Sequence, residues 1–105
     1  MLPFDERSPT YDLERMLCLV GQGAVTCFVT ETARDGGEAS GMDPDRITAV
    51  VLSLEPTDFY RTMESVTSPG LWQDVYRRRV GEVELYIKLQ IDHLGRAIVV
   101  QFKRR

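Results

Sequence analysis

The chain has few residues that could bind a metal ion or form a disulfide. Its 105 residues include one histidine, His93, and two cysteines, Cys18 and Cys27. Two cysteines are too few for a disulfide framework, and they lack the paired spacing of a zinc site. A single histidine excludes any reaction in which two histidines exchange protons. The sequence also lacks an apolar run of the ~18 residues that a membrane-spanning helix needs. We therefore expect no metal site, no cofactor and no membrane partner.

Length and composition are those of one small globular domain. Hydrophobic residues make up 43% of the chain and charged residues 28%, which is ordinary for a globular protein, and the length suffices for a single core. Residues 1–10 contain Asp5, Glu6 and Arg7 and no long apolar stretch, so they do not resemble a secretory signal. We therefore predict one domain, residues 1–105, in a cytoplasmic protein.

Charge is divided unevenly along the chain. The net charge of −3 argues mildly against a nucleic-acid partner. Residues 1–58, however, contain 4 Lys/Arg and 11 Asp/Glu, for a net charge of −7. Residues 59–105 contain 9 Lys/Arg and 5 Asp/Glu, for a net charge of +4. We expect the second half to present a basic face to a phosphate-bearing partner.

Apolar periodicity predicts two helices in the first half. Residues 13–20 and 47–54 each carry apolar side chains at i, i+3, i+4 and i+7, which form one face of a helix. Asp43 followed by Pro44 is a start signal for the second helix, and Pro56 is expected to stop it.

Between these helices the signals are weaker. Residues 25–29 indicate a short strand, and residues 30–34 indicate one or two helical turns. Residues 35–41, DGGEASG, contain three glycines and predict a polar loop.

The second half has the pattern of antiparallel strands. Residues 82–92 alternate between apolar and polar side chains, which is typical of a half-buried strand. Further strands are predicted at 59–63, 72–79 and 97–103. We predict an α+β fold in which helices pack on one face of a small antiparallel sheet. The opposite face is then polar, and it holds Tyr86, Lys88 and Lys103.

Four segments of the second half resemble the MqsR family, the motility quorum-sensing regulator toxins. They follow the family's order and lie close to its spacing, whereas the helical half matches more loosely. The four segments are DFYRTM (58–63), LWQDVYRRR (71–79), VELYIKLQI (83–91) and VVQFKRR (99–105).

This resemblance implies a fold and an activity. It implies a RelE-like fold and the toxin of a type II toxin–antitoxin pair. It also implies an endoribonuclease that cuts single-stranded mRNA without the ribosome, at GC-containing triplets such as GCU. The implied partner is a protein antitoxin of the MqsA kind.

The family's functional positions fall on four residues of this chain. Gln73, Tyr86 and Lys103 are identical in type, whereas Arg61 stands where the family has lysine. Arginine does not release its proton near neutral pH, so Arg61 could hold a phosphate but could not act as a base. Arg78 stands where the best-known relatives have proline, and we expect it to extend the basic rim.

Cleavage of RNA without a metal ion requires one proton to be removed, another to be supplied, and the charge on the phosphate to be stabilised. We expect Lys103 and Arg61 to stabilise that charge, Tyr86 to transfer a proton or orient the phosphate, and Gln73 to position the RNA. A cluster of cations is expected to lower the pKa values of its tyrosine and lysines. The expected cluster consists of Arg61, Arg77, Lys88 and Lys103.

Aromatic and basic residues of the second half suit single-stranded RNA, because bases stack on aromatic faces while cations contact the backbone. The RNA-binding candidates are Arg77, Arg79, Lys88, Tyr76 and Tyr60.

The same patterns have structural explanations: a polar strand face is commonly just solvated, and an arginine run guards an edge strand. Two other functions stay open, a binding protein that has lost cleavage and acts through its antitoxin, and a ribosome-dependent nuclease.

Overall fold

A computed structural model describes residues 7–105. Residues 1–6, which belong to the predicted domain and to the segment that does not resemble a secretory signal, lie outside the described residues. Within the described range, no helix is long and apolar enough to cross a membrane. The elements in chain order are α1 (Leu13–Gly21), β1 (Cys27–Val29), α2 (Glu31–Ala39), α3 (Pro44–Leu52), a 3-10 turn (Pro56–Asp58), β2 (Phe59–Glu64), β3 (Trp72–Val80), β4 (Val83–Ile91) and β5 (Ala97–Arg104).

The strands form one five-stranded sheet in the order β1-β5-β4-β3-β2. The pairs β2–β3, β3–β4 and β4–β5 are antiparallel, as predicted. The prediction of a wholly antiparallel sheet is wrong, because β1 pairs with β5 in parallel. Parallel neighbours need a long connection rather than a hairpin, and here two helices and three strands separate them along the chain. The α+β class is confirmed, with a mixed sheet.

Helices cover one face of this sheet, as the alternation of β4 predicts. Leu85, Ile87 and Leu89 of β4 are fully buried and belong to the same hydrophobic core as Met16 of α1 and Ile47 of α3. The intervening residues of β4 are half-buried or exposed and face the other way. The polar side chains of the sheet are therefore gathered on a surface that the helices leave open.

Side-chain caps fix where the predicted helices begin. Asp12 accepts a hydrogen bond from the Arg15 amide at 3.0 Å, and Asp43 accepts one from the Arg46 amide at 2.8 Å. These contacts satisfy amides that have no partner inside the helix. The second predicted helix is α3. It ends at Leu52, before Pro56, which was expected to stop it and which instead begins the 3-10 turn.

The glycine-rich segment is helical, and the prediction of a loop over residues 35–41 is wrong. Helix α2 continues to Ala39 because its glycines lie where other helices and strands approach closely. A Cβ atom at Gly36 would overlap the carbonyl oxygen of Phe102 in β5, and one at Gly37 would overlap the Ile47 side chain of α3. Here glycine permits close packing, which outweighs its low helix propensity.

A Gly36→Ala substitution is expected to lower the free energy of unfolding by about 2–3 kcal/mol, because the added methyl meets strand backbone that cannot rotate away. Urea denaturation measures the loss. The matched control is Gly21→Ala at the end of α1, where an added Cβ would meet the Leu52 side chain at an ordinary 3.7 Å. That variant should stay within about 0.5 kcal/mol of the wild type or exceed it. Equal stability of the two variants would contradict the packing argument.

A buried carboxylate anchors the N-terminal segment to the helix-covered face. Asp74 of β3 is 1% exposed and accepts hydrogen bonds from the amides of Thr10 and Tyr11, both at 2.9 Å. The Tyr11 hydroxyl donates to the Trp72 carbonyl at 2.6 Å. Strand alternation thus sends Asp74 to the core side and its neighbour Gln73 to the opposite side, so adjacent residues of one motif have different tasks.

Candidate functional site

The side of β2 to β5 that carries no helix, called the open face here, brings together most of the predicted site. Strand register decides which side chains adjoin, because directly opposite residues lie about 5 Å apart at their Cβ atoms. Tyr86 of β4 lies opposite Arg77 of β3 and Lys103 of β5. Lys88 lies opposite Val75, which in turn pairs with Arg61 of β2. Four cations therefore surround one phenol.

Tyr86 occupies the centre of this cluster. The Nζ atoms of Lys103 and Lys88 are 5.2 and 5.8 Å from the centroid of its ring. Its hydroxyl is 3.9 Å from Sδ of Met63, a weak acceptor on β2. Both ammonium groups are thus close to the ring, within the range of cation–π attraction, and its hydroxyl retains hydrogen-bonding capacity for a ligand.

The prediction that the cation cluster lowers the pKa of Tyr86 is wrong. Burial raises the pKa of this phenol and outweighs the opposing effects of Arg61 and Arg77, while Tyr60 adds to the increase. Loss of water disfavours the phenolate more than the neighbouring charges favour it. Tyr86 therefore keeps its proton at neutral pH and can act as a donor.

The pKa of Lys88 shifts in the predicted direction. Burial lowers the pKa of its ammonium group, and the positive charges of Lys103 and Arg61 lower it further. All three causes disfavour a second charge in a half-buried, already positive environment. The neutral amine of Lys88 is therefore accessible at a lower pH than that of an exposed lysine.

Arg77 and Tyr60 form a stacked pair at the β2 side of the open face. The Arg77 guanidinium carbon is 3.4 Å from the centroid of the Tyr60 ring. Within residues 7–105, Nε of Arg77 is a buried polar atom with no hydrogen-bond partner. One face of Tyr60 is thus occupied by a cation, and Tyr60 itself is exposed.

Gln73 lies on the open face but is 8% exposed, and its Nε2 donates to Oε1 of Gln90 at 2.8 Å. Its amide therefore orients Gln90, a half-buried residue of β4 that was not among the sequence candidates. The signal for Gln90 was present: it follows the alternation of Tyr86 and Lys88. Pairing the 72–79 and 82–92 strands as a hairpin sets it opposite Gln73.

Three arginine and tyrosine predictions have different outcomes. Tyr76 as a base-stacking residue is wrong: it is 2% exposed, faces the helices and packs edge-on against Phe59 with ring centroids 5.6 Å apart. Arg78 does not extend the basic rim, because it points to the helix side and pairs with Asp58 at 3.0 Å. Arg79 is exposed at the end of β3, where its Nε donates to the Gly81 carbonyl at 3.2 Å.

Electrostatically the open face suits an anion. Its acidic residue on β4, Glu84, lies at the far end of the strand and pairs with Arg105 at 3.8 Å. Across residues 7–105 there is no group of three or more His, Cys, Asp or Glu that could hold a metal ion. The arrangement can bind phosphate through cations, donate a proton from Tyr86 and accept one at Lys88.

Comparison with known proteins gives two matches. Residues 8–104 match a family model described as "Motility quorum-sensing regulator, toxin of MqsA". The chain is also 31% identical over 101 residues to a protein of Escherichia coli (strain K12) named "mRNA interferase toxin MqsR". This alignment covers 96% of the chain and 99% of its relative.

Proposed function

The chain belongs to the family of motility quorum-sensing regulators, toxins of MqsA, and from this premise we propose that it cleaves single-stranded mRNA at GC-containing triplets such as GCU, without the ribosome and without a metal ion. The observation that carries the proposal is Tyr86, whose ring lies close to both Lys88 and Lys103 on a sheet face that no described helix covers. This is a proton donor surrounded by cations, which is what a phosphate undergoing cleavage requires.

In the proposed reaction the 2′-hydroxyl of one ribose attacks the adjacent phosphate. The five-coordinate phosphate that forms carries additional negative charge. Lys103 and Arg61 stabilise that charge, and the Tyr86 hydroxyl donates its proton to the leaving 5′-oxygen. The raised pKa of Tyr86 fits this role, because the phenol is protonated at neutral pH and is still far more acidic than the alcohol that leaves. The products are a cyclic 2′,3′-phosphate and a 5′-hydroxyl.

RNA binding is assigned to the borders of the same face. Arg79, at the exposed end of β3, contacts the phosphate backbone, and Lys88 adds positive charge at the centre. The Arg77–Tyr60 stack supplies a flat surface, since bases stack on guanidinium planes as well as on aromatic rings. Gln73 acts indirectly by holding Gln90, whose amide then faces the RNA.

Family membership supports a proposal for the partner and the setting. We propose that residues 1–105 act as one toxin domain of RelE-like type in the cytoplasm, where an MqsA-like antitoxin neutralises it. Metal independence is supported by the donor set of the open face, which is dominated by ammonium and guanidinium groups that repel a divalent cation.

The test incubates the purified protein with a single-stranded, GCU-containing RNA, with and without ribosomes and with and without a chelator. Cleavage of the naked RNA in chelator, with cyclic phosphate and 5′-hydroxyl ends, is expected. Cleavage only with ribosomes would instead indicate a ribosome-dependent nuclease. Absence of cleavage in every mixture would indicate a non-catalytic protein that acts through its antitoxin, a possibility raised by arginine at position 61. Ends carrying a 5′-phosphate would exclude the proposed chemistry.

A further inference from the structure

Both lysines of the chain lie beside one phenol. The 13 basic residues comprise 11 arginines and two lysines, Lys88 and Lys103, and the Nζ atoms of both are within 6 Å of the Tyr86 ring centroid. Arginine stays protonated throughout the pH range of an enzyme, whereas lysine can lose its proton. Resting on the proposed function, we propose that Lys88 is a catalytic residue whose Nζ accepts the proton of the attacking 2′-hydroxyl.

The position of Lys88 favours this role. It lies on β4, the middle strand of the sheet, opposite Val75, which is fully buried. The side chain of Lys88 therefore lies beside an apolar residue, and its amine has no carboxylate partner among the described residues. Glu84, on the same face of β4, lies beyond Tyr86 and pairs with Arg105. The ionisable groups that face Lys88 are Arg61 from β2, Arg77 and Tyr60 at the β2–β3 side, Tyr86 from β4 and Lys103 from β5.

The two arginines and the tyrosine of the cluster are poor proton acceptors. Arg61 and Arg77 cannot give up their protons, and burial keeps Tyr86 protonated. A general base works best when its pKa lies near the operating pH. Burial and two neighbouring cations move the pKa of Lys88 in that direction.

The proton balance closes within this pair of residues. The 2′-hydroxyl proton moves to the neutral amine of Lys88 while the 2′-oxygen forms its bond to phosphorus. The bond from phosphorus to the 5′-oxygen breaks, and that oxygen takes the proton of the Tyr86 hydroxyl. The Lys88 ammonium then returns a proton to the neighbouring phenolate. The chain ends in its starting state, and the RNA gains and loses no atoms overall.

The first test measures Lys88 directly and needs no RNA. Protein labelled with carbon-13 in lysine gives only two ε-carbon signals, and the Lys103→Arg variant leaves Lys88 alone. The titration midpoint of Lys88 is expected below its ordinary value of 10.5. A midpoint at or above that value would overturn the proposal whatever the protein does to RNA.

The second test compares the same chemical change at both lysines. In single-turnover cleavage, Lys88→Arg is expected to lose about 10²-fold in rate, because its guanidinium cannot accept a proton. Lys103→Arg should lose less than about tenfold, because a guanidinium can also stabilise the phosphate. The wild-type rate should rise with pH up to the pKa of Lys88, and that rise should be absent in Lys88→Arg. Both variants should bind a 2′-deoxy, uncleavable RNA as the wild type does.

The outcomes separate the two proposals. A wild type that does not cleave naked RNA refutes the proposed function and the role of Lys88 with it. A wild type that cleaves, with Lys88→Arg matching its rate and pH profile, refutes only the role of Lys88. Rate loss explained wholly by weaker binding of the uncleavable RNA would leave Lys88 as an RNA contact only and would also refute its role as a base. Should Lys88→Arg fail to fold, Lys88→Gln also removes the accepting amine, and its rate, pH profile and binding of the uncleavable RNA are compared with those of the wild type.

Discussion

Replacing Lys103 with alanine is expected to slow cleavage of GCU-containing RNA about 10³-fold and to abolish growth arrest when the protein is expressed in cells. Lys103 is exposed near the end of β5 and its Nζ is 5.2 Å from the Tyr86 ring centroid. An ammonium group there stabilises the charge that the phosphate gains in the transition state. Alanine leaves that charge to Arg61, which lies on the same face but on β2, separated from β5 by β4 and β3.

Single-turnover kinetics and salt-dependent binding separate the contributions of Lys103. The logarithm of the RNA-binding constant falls linearly with the logarithm of salt concentration. Loss of one phosphate contact should make this slope shallower by about 0.7. The matched control is Arg46→Ala, which removes one exposed cation from α3 on the helix side and should change neither quantity. Growth arrest by Lys103→Ala equal to that by the wild type, at equal protein level, would remove Lys103 from the mechanism.

The open face was largely predictable because it depends on strand alternation. The strict alternation of residues 82–92 fixes which side chains share a face, and one face had to be apolar to meet the helices. Tyr86, Lys88 and Lys103 therefore appear together as expected. Cross-strand register was not read from the sequence, and for that reason Gln90 was missed.

Errors arose where tertiary contacts overrule local pattern. Two adjacent glycines, Gly36 and Gly37, indicate a loop, but a partner strand and helix close enough to exclude a Cβ make them helical. The parallel pairing of β1 with β5 has no local signal either. Tyr76 belongs to a run of basic and polar residues, yet alternation turns it into the core.

The charge of the cluster could be predicted, but its balance against burial could not. Counting cations near Tyr86 predicts a lowered pKa. The opposite direction requires knowing how much water the neighbouring side chains exclude, and that is a property of the packed face rather than of the sequence. The correction changes the chemistry, because it makes Tyr86 an acid and leaves the role of base to another residue.

A Tyr86→Phe substitution is expected to slow cleavage of ordinary RNA about 10³-fold, within the range for loss of a general acid. The change removes one oxygen and keeps the ring beside Lys88 and Lys103. Within residues 7–105 its hydroxyl has only the weak 3.9 Å contact with Met63, so the free energy of unfolding should stay within about 0.5 kcal/mol of the wild type. Binding of a 2′-deoxy RNA should change little, which assigns the loss to the chemical step.

An RNA with sulfur in place of the 5′-oxygen at the cleaved bond tests whether the lost group is the acid. A thiolate leaves without a proton, so Tyr86→Phe should cleave this RNA within about tenfold of the wild-type rate, having lost only the hydrogen bond that the hydroxyl donates. Lys88→Arg should stay slow on it, because removal of the 2′-proton is still required. Equal loss by Tyr86→Phe on both substrates would mean that the hydroxyl orients the phosphate and that its proton does not move. Recovery of Lys88→Arg on the sulfur substrate would exchange the two roles. The pair of variants therefore decides which residue acts on the 2′-hydroxyl and which acts on the leaving 5′-oxygen, a distinction that the distances of the two lysines from the Tyr86 ring do not make.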